Sequence, residues 1–486
     1  MKPLRSLRNL PPIWSMLGLQ NLPFADAAST ELPIGRLLRL SLFQVSVGMA
    51  AVLLVGTLNR VMIVELGVPA TLVGLMVALP IVFAPLRAFI GHRSDHHKSF
   101  LGWRRVPYIW IGTSLQYAGL SIMPFAVILL SGDTTGPLWI GYVAAALAFL
   151  LTGAGMHTVQ TVGLALATDL APPHTQPKVV ALLSVMMLIG MMISAIGFGL
   201  FLTPFSQVRL VQVIQGAALL TLVMNLTALW KQEARNPSRT RSDTPTPRFQ
   251  DEFRALLAEP GWLRLFVALA LGAAGFSMQD LLLEPYGGQV LHLGVGATTL
   301  LTALFAAGAV AGFVVAARIE ARGGEPLRIA AWGGIAGTAG FTLVLFAAPL
   351  QSTALFAAAT IGIGFGSGQF TVAMLSACMQ RARGSDRAGL VLGAYGAVQA
   401  TAAGLAIASG GLLRDTISDL GMSGALGPML ADASVGYGFV YLLEILLLFA
   451  MLVAIGPLTR HPQPHLRQPL GTAGQTLNPK PREVMP

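Results

Sequence analysis

The sequence predicts an all-α polytopic membrane protein of about twelve transmembrane helices in two six-helix lobes, and three observations carry that prediction. First, 54% of its 486 residues are hydrophobic and only 11% charged, under half of the roughly 25% charge of a soluble domain. Second, apolar runs of about 20 residues, the length that crosses a bilayer with every backbone group paired, recur about twelve times. Third, landmarks of the first half return in order in the second. The net charge of +10 is a topology signal or a nucleic-acid footprint, depending on where it falls. One cysteine, Cys378, excludes an intramolecular disulfide and any cysteine-rich metal site.

Residues 1–39 form a cytoplasmic arm, in which Leu4, Leu7, Leu10, Ile13, Trp14 and Leu17 alternate with Arg5 and Arg8. The arm is either a surface-lying segment or disordered. The first lobe, 40–230, holds spans at 40–64, 70–90, 107–130, 138–167, 179–202 and 209–230. Gly67 and Pro69, Gly132 to Pro137, and Pro172 with Pro173 supply breaks between them. Residues 231–261 form a cytoplasmic linker that is Pro- and Ser-rich at its start. At its end Phe249, Phe253, Leu256 and Leu257 recur as on a short amphipathic helix. The second lobe, 262–459, holds spans at 262–284, 297–317, 328–348, 353–378, 388–411 and 435–458, and 460–486 form a Pro- and Gln-rich cytoplasmic tail. About 26 of the 31 Lys and Arg fall in the arm, the linker, the tail and the connections on their side, against Arg209 and Arg414 on the other. That asymmetry puts both termini in the cytoplasm. It also accounts for the basic charge without nucleic acid, for which no recognition module is present.

Leu38-Arg39-Leu40 and Leu66-Gly67-Val68, which bracket the first span, return as Leu263-Arg264-Leu265 and Leu293-Gly294-Val295 around the seventh. Gly153, Gly155 and Gln160 return as Gly362, Gly364 and Gln369. Such parallel duplication suits the major facilitator superfamily, with its two six-helix lobes. Gly91 to Asp95, followed by Arg104 and Arg105, resembles that superfamily's loop between helices 2 and 3. There a Gly permits a tight exit and an Asp latches the lobes. The alternative is a basic loop that only sets topology.

Ionisable groups inside spans are costly and therefore candidates for function. Arg60 ends the first span, and Asp280 and Glu284 lie in the seventh. Arg60 is expected to pair with one of them, either to hold the lobes together or to bind solute or protons. His157 lies well inside the fourth span. It is either structural or an axial ligand to the magnesium of a chlorin, which takes four ligands from its own macrocycle and one neutral nitrogen or oxygen from protein. Gln160, one turn on, Asn59 and Gln369 are the other candidate pigment contacts. Gly308 and Gly312, Gly333 and Gly337, and the glycines from 362 to 368 allow close helix approach or a flat wall for a planar ring. No phosphate loop, zinc motif or nucleophile elbow is present, so no enzymatic activity is expected.

Leu32–Phe43 (LPIGRLLRLSLF), Gly56–Pro69 (GTLNRVMIVELGVP), Leu101–Trp110 (LGWRRVPYIW) and His157–Leu170 (HTVQTVGLALATDL) resemble the PucC/LhaA family, the bacteriochlorophyll-delivery branch of the superfamily in purple phototrophic bacteria. The resemblance spans about residues 30–460, and Phe24-Ala25-Asp26 inclines it toward LhaA, which serves the core antenna. It implies an assembly factor of the intracytoplasmic photosynthetic membrane, part of the bacterial inner membrane. Such a factor carries bacteriochlorophyll as cargo from bacteriochlorophyll synthase to light-harvesting antenna polypeptides leaving the membrane insertion machinery. A homo-oligomer is compatible with this reading. The competing reading is a proton-coupled secondary transporter of a small solute, with Arg60, Asp280 and Glu284 as coupling charges.

Overall fold

A computed structural model describes residues 32–80, 90, 94, 103–132, 136–172, 175–233, 249–382, 388–427, 430, 432 and 434–460. All the regular secondary structure among these residues is helical. In order the helices are α1 (Ile34–Glu65), α2 (Ala70–Ala78), α3 (Val106–Leu130), α4 (Leu138–Leu170), α5 (Gln176–Phe201) and α6 (Gln207–Leu229). The short α7 (Phe249–Ala258) follows, then α8 (Trp262–Gln289), α9 (Val295–Ala321), α10 (Pro326–Ala347), α11 (Thr353–Arg381), α12 (Ala388–Met422) and α13 (Ser434–Arg460). Among the described residues 11 helices are long and apolar enough to cross a membrane. The second expected span begins as α2, and its continuation over 81–89 lies outside the described residues, as do the arm to residue 31, linker residues 234–248 and the tail from 461.

In α1, α8 and α12, which run past their expected spans, a polar or breaking residue finds a partner elsewhere in the fold. α1 starts at Ile34, since Arg36 donates to the Gln232 side chain (2.9 Å) and backbone (2.8 Å). α8 passes through Pro285 to Gln289. α12 continues to Met422 past Arg414 and Asp415, whose partners are described below. α7 buries Leu256 and sets Phe253 against Phe266 of α8, with ring centres 6.4 Å apart, while Arg254 stays exposed.

Within the lobes α3 packs on α4, α11 on α9 and α10, and α8 on α12 and α13. The glycines are helix contacts rather than a wall for a ring: a Cβ at Gly308 or Gly312 would strike the backbone of Ile361 or Phe365, and one at Gly333 the backbone of Gly366. Small residues thus let backbones approach where burial offers no drive between lipid-facing helices. In the first lobe a polar chain crosses the core: Ser46 donates to Asn225 (2.6 Å), and Asn225 donates to Thr113 (3.1 Å).

Among the described residues the lobes meet at the end of the 66–69 and 290–294 connections. There α5 meets α9 through Gly199 and Gly296, and α2 meets α12 through Gly74 and Gly411. The buried apolar cluster of this end runs unbroken through both lobes, whereas Leu37, Leu40, Phe43, Ile109 and Val162, at the other end of the first lobe, belong to a separate cluster.

Candidate functional site

The polar side chains that join the lobes lie at this closed end, and proline explains the first of them. Pro285 has no N–H, so the carbonyl of Leu281, four residues earlier in α8, loses its helical donor. Asn59 of α1 replaces it, donating from Nδ2 to Leu281 O at 2.6 Å. α1 is π-helical over Val52–Thr57 and Val61–Glu65, on both sides of Asn59. The looser ladder leaves the Val55 carbonyl to the same Nδ2, at 2.8 Å. Asn59, fully buried, thus has its donor group taken up by backbone at the lobe seam.

Arg60 does not pair with Asp280 or Glu284. Its guanidinium makes an ion pair with Glu65 of its own helix and donates to the Leu293 carbonyl at 3.0 Å. The physical reason is direction: the long Arg60 side chain passes Gly288 toward the end of the helix, where Glu65 is 36% exposed and hydrated. Glu284 turns to α9, accepting from Thr302 at 2.5 Å and Thr299 at 3.4 Å. Gly56 of α1 faces that carboxylate, and a Cβ there would strike its Oε1. Thr57 and Thr299 sit 3.3 Å apart across the seam. Asp280, half-buried, accepts from the side chain of Gln279.

A clamp closes the same end. Asp415 of α12 accepts from the backbone N–H of Thr71 (2.6 Å) and from its hydroxyl (2.7 Å), at the first turn of α2 in the other lobe. A carboxylate is favoured there by the unpaired N–H groups and the helix dipole. Arg414 holds Asp415 at 2.8 Å, donates to Gln289 of α8, and lies 4.6 Å from the ring centre of Tyr437 of α13.

The candidate pigment residues do not gather into one cluster. His157 and Gln160 share a half-buried stripe of α4 with Thr161, Leu164 and Thr168, and Gln160 donates to the Met187 sulfur at 3.3 Å. At 1.5 Å per residue His157 lies about 28 Å along α4 from the closed end, and Asn59 only about 9 Å along α1 from it. Gln369 lies at a depth like that of His157 but in the other lobe, its Cβ against Gly333 of α10.

Of the expected latch, Gly91 and Asp95 lie outside the described residues. Arg104 and Arg105 bind within their own lobe. Both reach Asp169 at the end of α4, Arg105 at 3.1 Å, and Arg105 also reaches Ser94 at 2.6 Å. Their backbone N–H groups and that of Val106 donate to Glu233, which caps α3 at 2.7 to 3.3 Å. Glu233, Glu65, Pro285, Arg414 and Asp415 are the residues sequence reasoning passed over. Pro285 was readable: a proline inside a spanning helix calls for an outside donor to the carbonyl four residues back.

The family profile described as PUCC protein matches residues 57–462. The chain belongs to that family. Its PUCC relatives include Protein PucC of Rhodovulum sulfidophilum, 54% identical over 407 residues that cover 82% of this chain and 89% of the relative. The "Bacteriochlorophyll synthase 44.5 kDa chain" of Rhodobacter capsulatus is 32% identical over 430 residues, covering 87% and 95%. In fold the PUCC chain is similar to a bacterial homolog of the human lysosomal transporter Spinster, solved in an inward-facing, unoccupied conformation. The TM-score is 0.62 at 16% identity, with 87% of this chain and 96% of that one covered. The PUCC chain therefore has the two-lobed major facilitator fold, in a photosynthesis-associated family of multi-pass membrane proteins.

Proposed function

We propose that the chain is an assembly factor for light-harvesting complexes, the core antenna in particular, which binds bacteriochlorophyll and delivers it to antenna polypeptides in the membrane. Membership of the PUCC family supports this reading, as does the relative whose name contains bacteriochlorophyll synthase. The structural observation that carries it is His157, a half-buried imidazole inside α4 with Gln160 one turn on. A chlorin magnesium takes one such neutral nitrogen. His157 would hold the metal and Gln160 would stand beside the ring, with Gln369 and the unpartnered Oδ1 of Asn59 as further candidate contacts. Bacteriochlorophyll synthase as donor, the insertion machinery as neighbour and self-association belong to the same proposal, as does the absence of enzymatic activity. The same proposal includes the bacterial inner, intracytoplasmic photosynthetic membrane as the location, with both termini cytoplasmic, an orientation that the Lys and Arg asymmetry supports.

The deciding experiment is an absorbance spectrum of detergent-purified protein from a pigment-producing host. Bound bacteriochlorophyll is expected in the wild type, with loss or a shift of the red band in His157→Phe. No pigment in the wild type removes direct carriage, and an unchanged band in the variant removes His157 as ligand. A second reading, a secondary transporter, draws on the buried carboxylate of Glu284 and the half-buried one of Asp280 beside the seam. It requires solute flux in proteoliposomes that follows a proton gradient and is lost in Asp280→Asn.

A further inference from the structure

Glu444 of α13 has no exposed surface. Its Oε1 accepts the backbone N–H of Gln279 of α8 at 2.6 Å, and its Oε2 has no hydrogen-bond partner. Gln279 lies on the same contact: its Nε2 donates to the Asp280 carboxylate, while its Oε1, fully buried, has no partner. One turn before Glu444, the Tyr441 hydroxyl is also buried and unpartnered. Among the described residues no Lys, Arg or His forms an ion pair with Glu444 or Asp280.

An interior carboxylate with no counter-charge and a free oxygen, beside an amide oxygen that is also free, is an acceptor set without a donor. Such a set is costly until something positive enters it. What enters must be small, because Glu444 has no exposed surface and lies 2.6 Å from the Gln279 backbone, with Tyr441 one turn away packed against Phe341 and Tyr286, ring centres 6.0 and 5.6 Å apart. It must also prefer neutral and anionic oxygen. Among the described residues no three acidic, histidine or cysteine side chains gather as a divalent ion would favour. Asp280, with Ser277 and Ala274 one and two turns earlier, forms a part-exposed stripe on α8.

We propose that Glu444, Gln279 and Asp280 form a binding site for a small monovalent cation, Na⁺ in kind, between α8 and α13. The ion would tie the last helix to the helix at the lobe seam, with Tyr441 closing the site from its buried side. This assignment is independent of whether the protein carries pigment.

The test is thermal unfolding of the full-length, detergent-solubilised protein, followed by tryptophan fluorescence, in NaCl against choline chloride at equal ionic strength. The wild type should show an upward, saturable shift of Tm with Na⁺. Glu444→Gln keeps an acceptor for the Gln279 N–H, so it should fold and show no Na⁺ shift. Gln279→Leu should weaken the response, moving its midpoint to higher Na⁺. A wild type with the same Tm in both salts overturns the site, as does a full Na⁺ response in Glu444→Gln or a response to Ca²⁺ alone.

Discussion

Replacing Asp415 by Ala tests whether the α2–α12 contact is what keeps one end of the lobes shut. The side chain accepts two charge-assisted hydrogen bonds from Thr71, at 2.6 and 2.7 Å, across the lobe boundary. Hydrogen bonds to charged groups contribute about 1.5–3 kcal/mol each. Asp415 and Arg414 keep 17% and 12% of their surface exposed, so the lower figure applies to each bond and the pair totals about 3 kcal/mol. Only the conformation closed at this end contains these bonds. At 1.4 kcal/mol per tenfold, the variant should move the closed-to-open equilibrium by about a hundredfold, enough to bring a 1:99 minor state to near parity. Asp415→Asn, which keeps one acceptor but no charge, should fall between the two. The assay is the distance distribution between nitroxides at Leu72 and Leu412, exposed residues at the start of α2 and on α12, in a Cys378→Ala background. The wild type should give one narrow population, and Asp415→Ala a second at longer distance. Superimposable distributions would refute the clamp.

Two further outcomes follow from other contacts. Asn59→Leu leaves the Leu281 carbonyl buried and without a donor, which should cost about 1–3 kcal/mol in denaturant titration; Pro285→Ala restores a helical N–H and should recover most of that loss, whereas additive costs would disprove the link. Outside the membrane, Asp432 accepts the Ser434 N–H at 2.6 Å at the start of α13, which holds its carboxyl below its usual value of 3.8. Its contribution is therefore present above that value and lost as pH falls through the lowered one. Asp432→Asn should cost no more than about 1 kcal/mol at neutral pH, seen as a small drop in Tm that disappears in strong acid.

The spanning helices and the duplication were legible because hydrophobic length and ordered landmarks are local properties of the sequence. The extents of α1, α8 and α12 were not, because Arg36, Pro285 and Arg414 draw on partners 125 or more residues away, as with Gln289 for Arg414. The same limit governed the site. Position within a span made Arg60, Asp280 and Glu284 candidates for one pair, but it carries no information on which way a side chain turns. Arg60 turns to Glu65 and Glu284 to α9.

Proline accounts for the partners of two polar residues within spans, Asn59 and Arg264. Pro457 of α13 frees the carbonyl of Val453 as Pro285 frees that of Leu281. Arg264 donates to Val453 at 3.3 Å and to the neighbouring Ala454 at 2.8 Å, as Asn59 does to Leu281. A polar group within a span is therefore not a mark of cargo when a proline four residues beyond its acceptor explains it. Among the candidate pigment contacts that criterion accounts for the amide nitrogen of Asn59, while His157, Gln160 and Gln369 lie in helices with no internal proline. His157 also lies about 28 Å along α4 from the end that carries the Asp415–Thr71 contact, so substitutions at the two places perturb separate parts of the molecule.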